Sequence, residues 1–223
     1  MTARKLVIFD VDGTLIDSQD HILAAMAHAF AAAGLGLPRR DAVLSIVGLS
    51  LPEAFAALVP DISDDLRARL VADYKASFGP LRARVASGLY AGARDALDHL
   101  RGRDDMLMGI ATGKSRRGLD HVLGAAGLQG YFVTCQVADD HPSKPHPAML
   151  LAALAETGIA ADMAVMIGDT SFDVEMGRAA GMATIGVGWG YHPVPRLRAA
   201  GAGQVIGSYA ALIPALERIW GAQ

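Results

Sequence analysis

The sequence predicts an α/β fold in which a doubly wound, mainly parallel sheet carries an inserted all-helical cap domain. Three observations lead to this prediction. Short apolar runs of strand length recur along the chain, segments with helical spacing separate them, and one long stretch after the first run contains helical patterns only. Alternating strands and helices are typical of a parallel sheet with helices on both faces.

The apolar runs are each followed by a polar or glycine-containing turn, as expected for buried parallel strands. We predict these strands at residues 6–9, 106–111, 131–137, 164–167 and 183–187. The segments with helical spacing are residues 91–100, 115–126, 147–156 and 172–180. The carboxyl ends of such strands meet at one edge of the sheet, where open α/β folds hold their ligands.

The stretch that interrupts this alternation predicts the second domain. We expect a core domain at residues 1–15 and 88–223 and a helical cap at residues 16–87. One cap helix should run over residues 18–33 and end at Gly34, and another should follow Ser63 as its cap. The chain is expected to return through Gly79-Pro80 and residues 87–88. Both connections then lie beside the functional edge of the sheet, so the insertion is predicted to act as a lid.

The composition restricts the class of protein. Hydrophobic residues make up 52% and charged residues 19%, which indicates a folded globular chain. The net charge of −3 offers no basic surface overall, so neither nucleic acid nor a membrane is expected as a partner. The single cysteine, Cys135, excludes an intrachain disulfide, and the first residues resemble no signal peptide. A cytoplasmic location is therefore expected, while the oligomeric state stays open.

The first candidate site follows the first predicted strand, where residues 9–15 read FDVDGTL. Residues two apart in an extended segment face the same side, so Asp10 and Asp12 can converge on one site. Gly13 allows a sharp turn there. Paired carboxylates repel unless a cation or a shared proton offsets the repulsion, which indicates a metal site or acid/base chemistry.

The second acidic site follows the strand predicted at 164–167, where residues 168–173 read GDTSFD. Asp169 and Asp173 are four residues apart, so at the start of a helix both can face the strand ends. Together with Asp10 they would form a hard oxygen site suited to Mg²⁺.

Two further segments offer groups that bind phosphate. Thr112 and Gly113 follow the strand predicted at 106–111, where a hydroxyl and free amides at a helix start can hold anionic oxygens. Lys144 lies between Ser143 and Pro145 in a loop stiffened by prolines, from which it could neutralise a phosphoryl charge.

These segments, in this order and with a helical insertion after the first, resemble the four motifs of the haloacid dehalogenase superfamily. The resemblance is to its phosphatases with an α-helical cap of the phosphoglycolate phosphatase type, and it covers nearly the whole chain. It implies that Asp10 attacks phosphorus to form an aspartyl-phosphate, while Asp12 protonates the leaving oxygen and later activates water. Because the dehalogenase branch lacks this acid/base aspartate, Asp12 favours phosphate chemistry.

The resemblance also implies a ligand set. Mg²⁺ would be held by the Asp10 carboxylate, the Asp12 backbone carbonyl and Asp169, with Asp173 as a further ligand or an orienting group. The remaining residues that it implies would clamp the transferring phosphoryl group. They are Thr112, the Gly113 amide and Lys144.

Several functions share these motifs. The leading prediction is hydrolysis of a small phosphorylated metabolite such as phosphoglycolate, and sugar phosphomutase, pyrophosphatase and phosphonatase activities are the alternatives. A module that signals through a phosphoaspartate, or a binding module, in either case without catalysis, is the alternative of another class. Phosphoglycolate requires a cation for its carboxylate. The candidates in the insertion are Arg39, Arg40, Lys75, Arg82 and Arg84.

Overall fold

The structure, a computed structural model, describes residues 4–82 and 87–221. The strands are β1 (Lys5–Phe9), β2 (Ile16–Asp17), β3 (Gly88–Leu89), β4 (Met106–Thr112), β5 (Thr134–Val137), β6 (Ala164–Gly168), β7 (Ala183–Val187) and β8 (Gln204–Ile206). The α-helices are α1 (Gln19–Ala32), α2 (Arg40–Leu44), α3 (Leu51–Leu58), α4 (Asp64–Arg82), α5 (Ala93–Arg101), α6 (Arg116–Ala125), α7 (Ala148–Thr157), α8 (Ser171–Ala179), α9 (Val194–Ala199) and α10 (Leu212–Gly221). None of the helices in these two ranges is both long and apolar enough to cross a bilayer.

The main sheet confirms the predicted α/β fold. It has six strands in the order β5-β4-β1-β6-β7-β8, and every neighbouring pair is parallel. β1 lies between β4 and β6 and is parallel to both. The loop that follows β1 therefore lies between the loops that follow β4 and β6. The carboxyl ends of β1, β4 and β6 therefore meet in the middle of one sheet edge.

The two faces of the sheet are both buried, as the continuous apolar runs predict. In β1, Val7 and Phe9 pack into the hydrophobic core on one face, which α5, α6 and α10 also supply. Leu6 and Ile8 point to the other face and pack with residues of α7 and α8. Successive side chains of β1 point to opposite faces of the sheet, and both faces are buried. For this reason β1 carries no polar residue between Leu6 and Phe9.

The inserted helices α1 to α4 have a hydrophobic core of their own. Its largest fully buried members include Phe30, Phe55 and Met26, and α1 packs along α4. The antiparallel pair of β2 and β3 lies where the chain enters and leaves this helical segment. The domain boundaries after residues 15 and 87 stay a prediction.

Two local predictions hold and two are wrong. Gly34 has a φ of 69°, and the Ser63 hydroxyl accepts a hydrogen bond from the Leu66 amide, as predicted for the two helix ends. The strand predicted from residue 131 begins only at Thr134, because the Tyr131 hydroxyl donates to Asp98 of α5 and its segment bends. The predicted exit at residues 79–80 lies inside α4, which continues to residue 82. The proline in this stretch removes one helical hydrogen bond but does not end the helix.

Candidate active site

Asp10 and Asp12 lie just beyond the end of β1, at the middle of the carboxyl edge of the sheet. Asp10 is only 1% exposed. The chain turns at Gly13, which has a φ of 80°, and a Cβ there would lie 2.3 Å from Asp169 Oδ2. A glycine is therefore required at this turn, both for the left-handed backbone and for the close approach of Asp169.

Asp169 and Asp173 stand at the junction of β6 and α8, where a capping box begins the helix. The Thr170 hydroxyl accepts a hydrogen bond from the Asp173 amide at 3.3 Å, and Asp173 Oδ2 accepts one from the Thr170 amide at 3.0 Å. These reciprocal bonds hold one oxygen of Asp173 against the helix start. The other oxygen, Oδ1, is left to face Lys144.

Lys144 is buried between two of these carboxylates. Its ammonium donates to Asp10 Oδ1 at 2.8 Å and to Asp173 Oδ1 at 2.6 Å, and its side chain is fully shielded from solvent. Burial opposes the charge of Lys144, but the negative charges of Asp10 and Asp173 outweigh burial and raise the pKa of the ammonium. Lys144 is therefore a fixed positive charge beside Asp10.

Asp10, Asp169 and Asp173 could together hold a metal ion. One oxygen from each lies within 4.8 Å of the others, and all three residues are buried. Burial, and then the charge of Asp173, raises the pKa of Asp169 well above its usual range. Burial raises the pKa of Asp10 to about 7, although Lys144 acts in the opposite direction.

The charge balance of this cluster fits a divalent cation. Three carboxylates face the single ammonium of Lys144, so the cluster would carry excess negative charge if all three were ionised. Asp10 Oδ2 is buried and accepts no hydrogen bond from any described residue. A buried oxygen without a donor is costly unless a cation coordinates it. Hard oxygen ligands of this kind suit Mg²⁺-like ions.

Thr112 ends β4 and Gly113 follows it, and both line the cavity that Asp10 and Asp12 also line. Thr112 is buried, and its hydroxyl accepts a hydrogen bond from the Lys114 amide at 3.3 Å. A Cβ at residue 113 would lie 2.7 Å from the carbonyl oxygens of Gly48 and Leu49. The loop between α2 and α3 thus rests directly on Gly113, and only glycine leaves room for it.

The Asp12 carboxylate has partners that the sequence analysis did not identify. Ser18, just before α1, donates from its hydroxyl to Asp12 Oδ1 at 2.5 Å, and the Lys114 ammonium lies 2.8 Å from Oδ2. Ser18 Oγ is also 3.0 Å from the Tyr191 hydroxyl. The position of Lys114, two residues after Thr112, is a sequence feature that could have indicated its place in the site. No local pattern linked Ser18 to Asp12.

The loop after β7 borders the site through its backbone and its aromatic side chains. The Tyr191 amide donates to Asp169 Oδ2 at 2.8 Å, and a Cβ at Gly190 would lie 2.2 Å from the Asp169 Cβ. The Trp189 indole donates to the Thr14 carbonyl at 3.2 Å. This loop therefore orients Asp169 and supports the turn after β1.

Hydrogen bonds join the inserted helices to the catalytic edge of the core. His192 Nδ1 accepts from the Ser171 amide at 2.9 Å, so Nε2 carries the proton and donates to the Ser45 carbonyl at 2.9 Å. The Ser50 amide donates to the Ser143 hydroxyl at 2.8 Å, next to Lys144. These contacts hold the α2–α3 loop over the loops that carry the acidic cluster and Lys144.

The structure brings the predicted site residues to one edge of the sheet in two adjoining groups. The buried cluster contains Asp10, Lys144, Asp169 and Asp173. A cavity of about 200 Å³ beside this cluster is lined by Asp10, Asp12, Thr112 and Gly113. The two groups share Asp10, so a ligand in the cavity would contact the cluster through Asp10.

The cations proposed for a substrate carboxylate do not converge on this cavity. Arg39 pairs with Asp41 on the surface, and its side chain is 87% exposed. Arg40 lies with Arg39 in a separate shallow groove, whereas Lys75 is exposed at the cavity rim. The side chain of Arg82 and the whole of Arg84 lie outside the described residues.

Comparisons with known proteins agree with this architecture. Residues 7–187 match the family of haloacid dehalogenase-like hydrolases. The chain is 35% identical to a probable phosphatase, IndB, of Dickeya dadantii, over 97% of this chain and 95% of that protein. It is 34% identical to the pyrophosphatase PpaX of Bacillus pumilus, over 82% of each chain. It is 30% identical to a phosphoglycolate phosphatase of Agrobacterium fabrum, over 97% of this chain and 95% of that protein.

A solved structure shows the same fold over the full length. A hydrolase from Pseudomonas syringae superposes with a TM-score of 0.87 at 26% identity, covering 97% of this chain and 99% of the other. The fold is therefore shared with that hydrolase over 97% of this chain.

The raised pKa values of Asp10 and Asp169 predict that the metal-free protein becomes less stable as the pH rises. Each group binds its proton more tightly in the folded chain than in the unfolded chain, where the pKa of aspartate is about 3.9. The stabilising contribution of Asp10 is thus complete below about pH 4 and is lost as the pH approaches its folded pKa of about 7. In EDTA at pH 8, Asp10→Asn should raise the melting temperature in calorimetry by about 5 °C, because the ammonium of Lys144 keeps Asp173 as its partner.

The exposed Asp104 offers a matched control, because Asp104→Asn should leave the melting temperature unchanged. A divalent cation should raise the melting temperature of the wild type at pH 8 more than that of Asp10→Asn. Equal melting temperatures for the wild type and Asp10→Asn in EDTA at pH 8 would contradict the prediction.

The close packing of the α2–α3 loop on Gly113 predicts a second effect. Gly113→Ala forces the added methyl group against two carbonyl oxygens, so the free energy of unfolding should fall by about 1–3 kcal/mol. Urea denaturation measures this loss. Gly36→Ala is the control, since a Cβ at Gly36 meets nothing within 4 Å. A similar effect of both substitutions would show that the contact at Gly113 is not tight.

Proposed function

The chain belongs to the haloacid dehalogenase-like hydrolases, as a phosphatase of that family, and from this premise we propose a specific reaction. The protein is a Mg²⁺-dependent phosphatase that hydrolyses a small phosphate monoester through an aspartyl-phosphate on Asp10. The strongest support for this proposal is the environment of Asp10. Asp10 is buried against the ammonium of Lys144, within a cluster of carboxylates that fits a divalent cation, and it opens onto a cavity that Asp12 also lines.

In the first half of the reaction, an oxygen of Asp10 attacks phosphorus and the bond from phosphorus to the leaving oxygen breaks. Asp12 gives its proton to the leaving oxygen, so the product departs as an alcohol. Both oxygens of Asp12 are held, by Ser18 at 2.5 Å and by Lys114 at 2.8 Å, which fixes the position of the carboxyl group for this transfer.

In the second half, water attacks the phosphorus of the aspartyl-phosphate. Asp12, now ionised, takes a proton from the water, and the bond between phosphorus and Asp10 breaks to release inorganic phosphate. Asp12 ends protonated and Asp10 ends ionised, as at the start. One residue thus serves as acid and then as base.

The Asp10 carboxylate, the Asp12 backbone carbonyl and Asp169 would hold Mg²⁺, with Asp173 as a further ligand or an orienting group. When bound, Mg²⁺ supplies positive charge that polarises the phosphoryl oxygens. Asp173 also holds Lys144 by its Oδ1 at 2.6 Å, so it supports the ammonium beside Asp10 whether or not it binds the ion.

The transferring phosphoryl group needs donors and positive charge around its oxygens. Lys144 supplies a buried ammonium 2.8 Å from Asp10, and the Thr112 hydroxyl and Gly113 amide would supply hydrogen bonds from the end of β4. Helices α1, α3 and α4 and the loop between α2 and α3 line the cavity, which limits the access of water. A cytoplasmic location remains the prediction from the sequence.

Pyrophosphatase activity is a second candidate, favoured by the relative of that name in Bacillus pumilus. It would use the same nucleophile and the same acid/base group, and it would differ in the leaving group that the cavity receives. Mutase and phosphonatase activities stay predictions from the sequence. A stable phosphoaspartate signal is disfavoured, because Asp12 lies in position to hasten hydrolysis of the intermediate.

Substitution of the two aspartates tests the mechanism. Asp10→Asn removes the nucleophile and should lower kcat by about 10⁴-fold or more. Asp12→Asn removes the proton donor and should lower kcat by about 10²–10⁴-fold. Phosphate release with Mg²⁺ from acetyl phosphate and a panel of monoesters measures both effects, and intact-protein mass spectrometry of the Asp12 variant should detect the covalent phosphoryl group.

The exposed Asp20, at the start of α1, provides the control, and Asp20→Asn should keep wild-type turnover. Normal turnover in Asp10→Asn would rule out the covalent mechanism. Normal turnover in Asp12→Asn would rule out its acid/base role.

A further inference from the structure

The cavity beside Asp10 is small, so it limits the size of the leaving group. Its volume is about 200 Å³, below the range of about 300–1,000 Å³ for sites that bind drug-sized ligands. The phosphoryl group would occupy the end at Asp10. The rest of the cavity then receives the part of the substrate that leaves, so its lining selects the leaving group.

Apolar side chains form most of the lining beyond the two aspartates. Ile22 and Met26 come from α1, Ile46 and Leu49 from the segment between α2 and α3, and Phe78 from α4. Phe78 and Leu49 are half-buried. Such walls favour an apolar group through the area that it removes from water.

Cations that could hold a negatively charged leaving group are poorly placed among the described residues that line the cavity. Lys114 already pairs with Asp12 at 2.8 Å, and its side chain is 10% exposed. Lys75 and Arg117 also line the cavity, but both are exposed residues at its rim. An anionic leaving group between the apolar walls would therefore be desolvated without a full counter-charge, and it would face Asp12.

Tyr74 supplies the cavity with one neutral donor. Its hydroxyl makes no hydrogen bond to any other described residue, so it can donate to a ligand in the cavity. Burial, and then the charge of Asp12, raises the pKa of Tyr74, so the hydroxyl keeps its proton. Tyr74 packs edge-on against Phe55 with ring centroids 6.2 Å apart, which holds its ring in place.

We infer that the substrate is a small phosphate monoester with an uncharged, largely apolar or aromatic leaving group, whose one acceptor atom binds the Tyr74 hydroxyl. 3-Methoxyphenyl phosphate represents this class, and phenyl phosphate and ethyl phosphate share its uncharged leaving group without the additional acceptor. The inference rests on the proposed phosphatase function and specifies its substrate. Phosphoglycolate and pyrophosphate, whose leaving groups are anionic, fall outside the class.

Matched pairs of esters test the inference with the full chain and Mg²⁺. The measured quantity is kcat/KM for ethyl phosphate against phosphoglycolate, and for phenyl phosphate against pyrophosphate. We expect the uncharged member of each pair to be preferred by about 100-fold. A preference for phosphoglycolate or for pyrophosphate would overturn the inference and leave the proposed phosphatase reaction intact.

Acetyl phosphate distinguishes the proposed phosphatase reaction from the inferred substrate preference. Its leaving group is activated, so its hydrolysis depends little on contacts with the cavity lining. Turnover of acetyl phosphate that is lost in Asp10→Asn supports the phosphatase reaction whatever the ester preference. Absence of turnover on acetyl phosphate and on every ester would overturn both the proposed function and the inference.

A new cation in the lining provides the complementary test. Leu49→Lys places a positive charge in a half-buried loop position, so it should raise the ratio of kcat/KM for phosphoglycolate to that for ethyl phosphate by about tenfold. Leu37→Lys is the matched control, since Leu37 is 50% exposed and lies outside the cavity, and its ratio should equal that of the wild type.

Tyr74→Phe keeps the ring and removes the donor. It should lower kcat/KM for 3-methoxyphenyl phosphate about tenfold more than for phenyl phosphate, because only the methoxy ester offers an additional acceptor. Equal losses on the two esters would overturn the role of the Tyr74 hydroxyl. An unchanged ratio in Leu49→Lys would overturn the conclusion that the lining selects against charge.

Discussion

The burial of Lys144 among carboxylates is the interaction on which the site depends. Its ammonium lies 2.8 Å from Asp10 and 2.6 Å from Asp173, with no exposure to solvent. A buried lysine is tolerated only when its charge is paired, and the two acids that pair with Lys144 follow different strands, Asp10 after β1 and Asp173 in the first turn of α8 after β6. The order β4-β1-β6 is what makes that pairing possible, because it brings the ends of these strands together. The reactive carboxylate of Asp10 is thus also a structural partner of Lys144.

The inserted helices complete the site rather than simply covering it. The α2–α3 loop rests on Gly113 and bonds to Ser143, while Ser45 accepts a hydrogen bond from His192. Each of these contacts reaches a different loop of the core. The core supplies the charged groups, and the insertion supplies most of the apolar wall of the cavity. Under the proposed function, the core would carry out the chemistry and the insertion would select the leaving group.

The sheet and the acidic residues could be predicted because each is marked by a pattern within a few consecutive residues of the sequence. Strands buried on both faces read as continuous apolar runs, and carboxylates at their ends stand out against them. The short elements α2, α3, β8 and α9, and the helix α10, were not predicted; a strand of three residues such as β8 has too little pattern to detect. Ser18 was expected at the start of a helix, yet its side chain makes no capping hydrogen bond and binds Asp12 instead. That choice depends on tertiary contacts, as does the pairing of Lys114 with Asp12.

Ser18 also connects the geometry of the lid to the chemistry of Asp12. It directly precedes α1, so a rotation of the inserted helices that moves α1 also moves the hydroxyl that holds Asp12. The Tyr191 hydroxyl, 3.0 Å from Ser18, ties the same point to the core loop beside Asp169. The position of the Asp12 carboxylate therefore depends on the placement of α1 as well as on Lys114 of the core. Under the proposed mechanism, a substitution that shifts α1 would weaken proton transfer even where it touches no catalytic group.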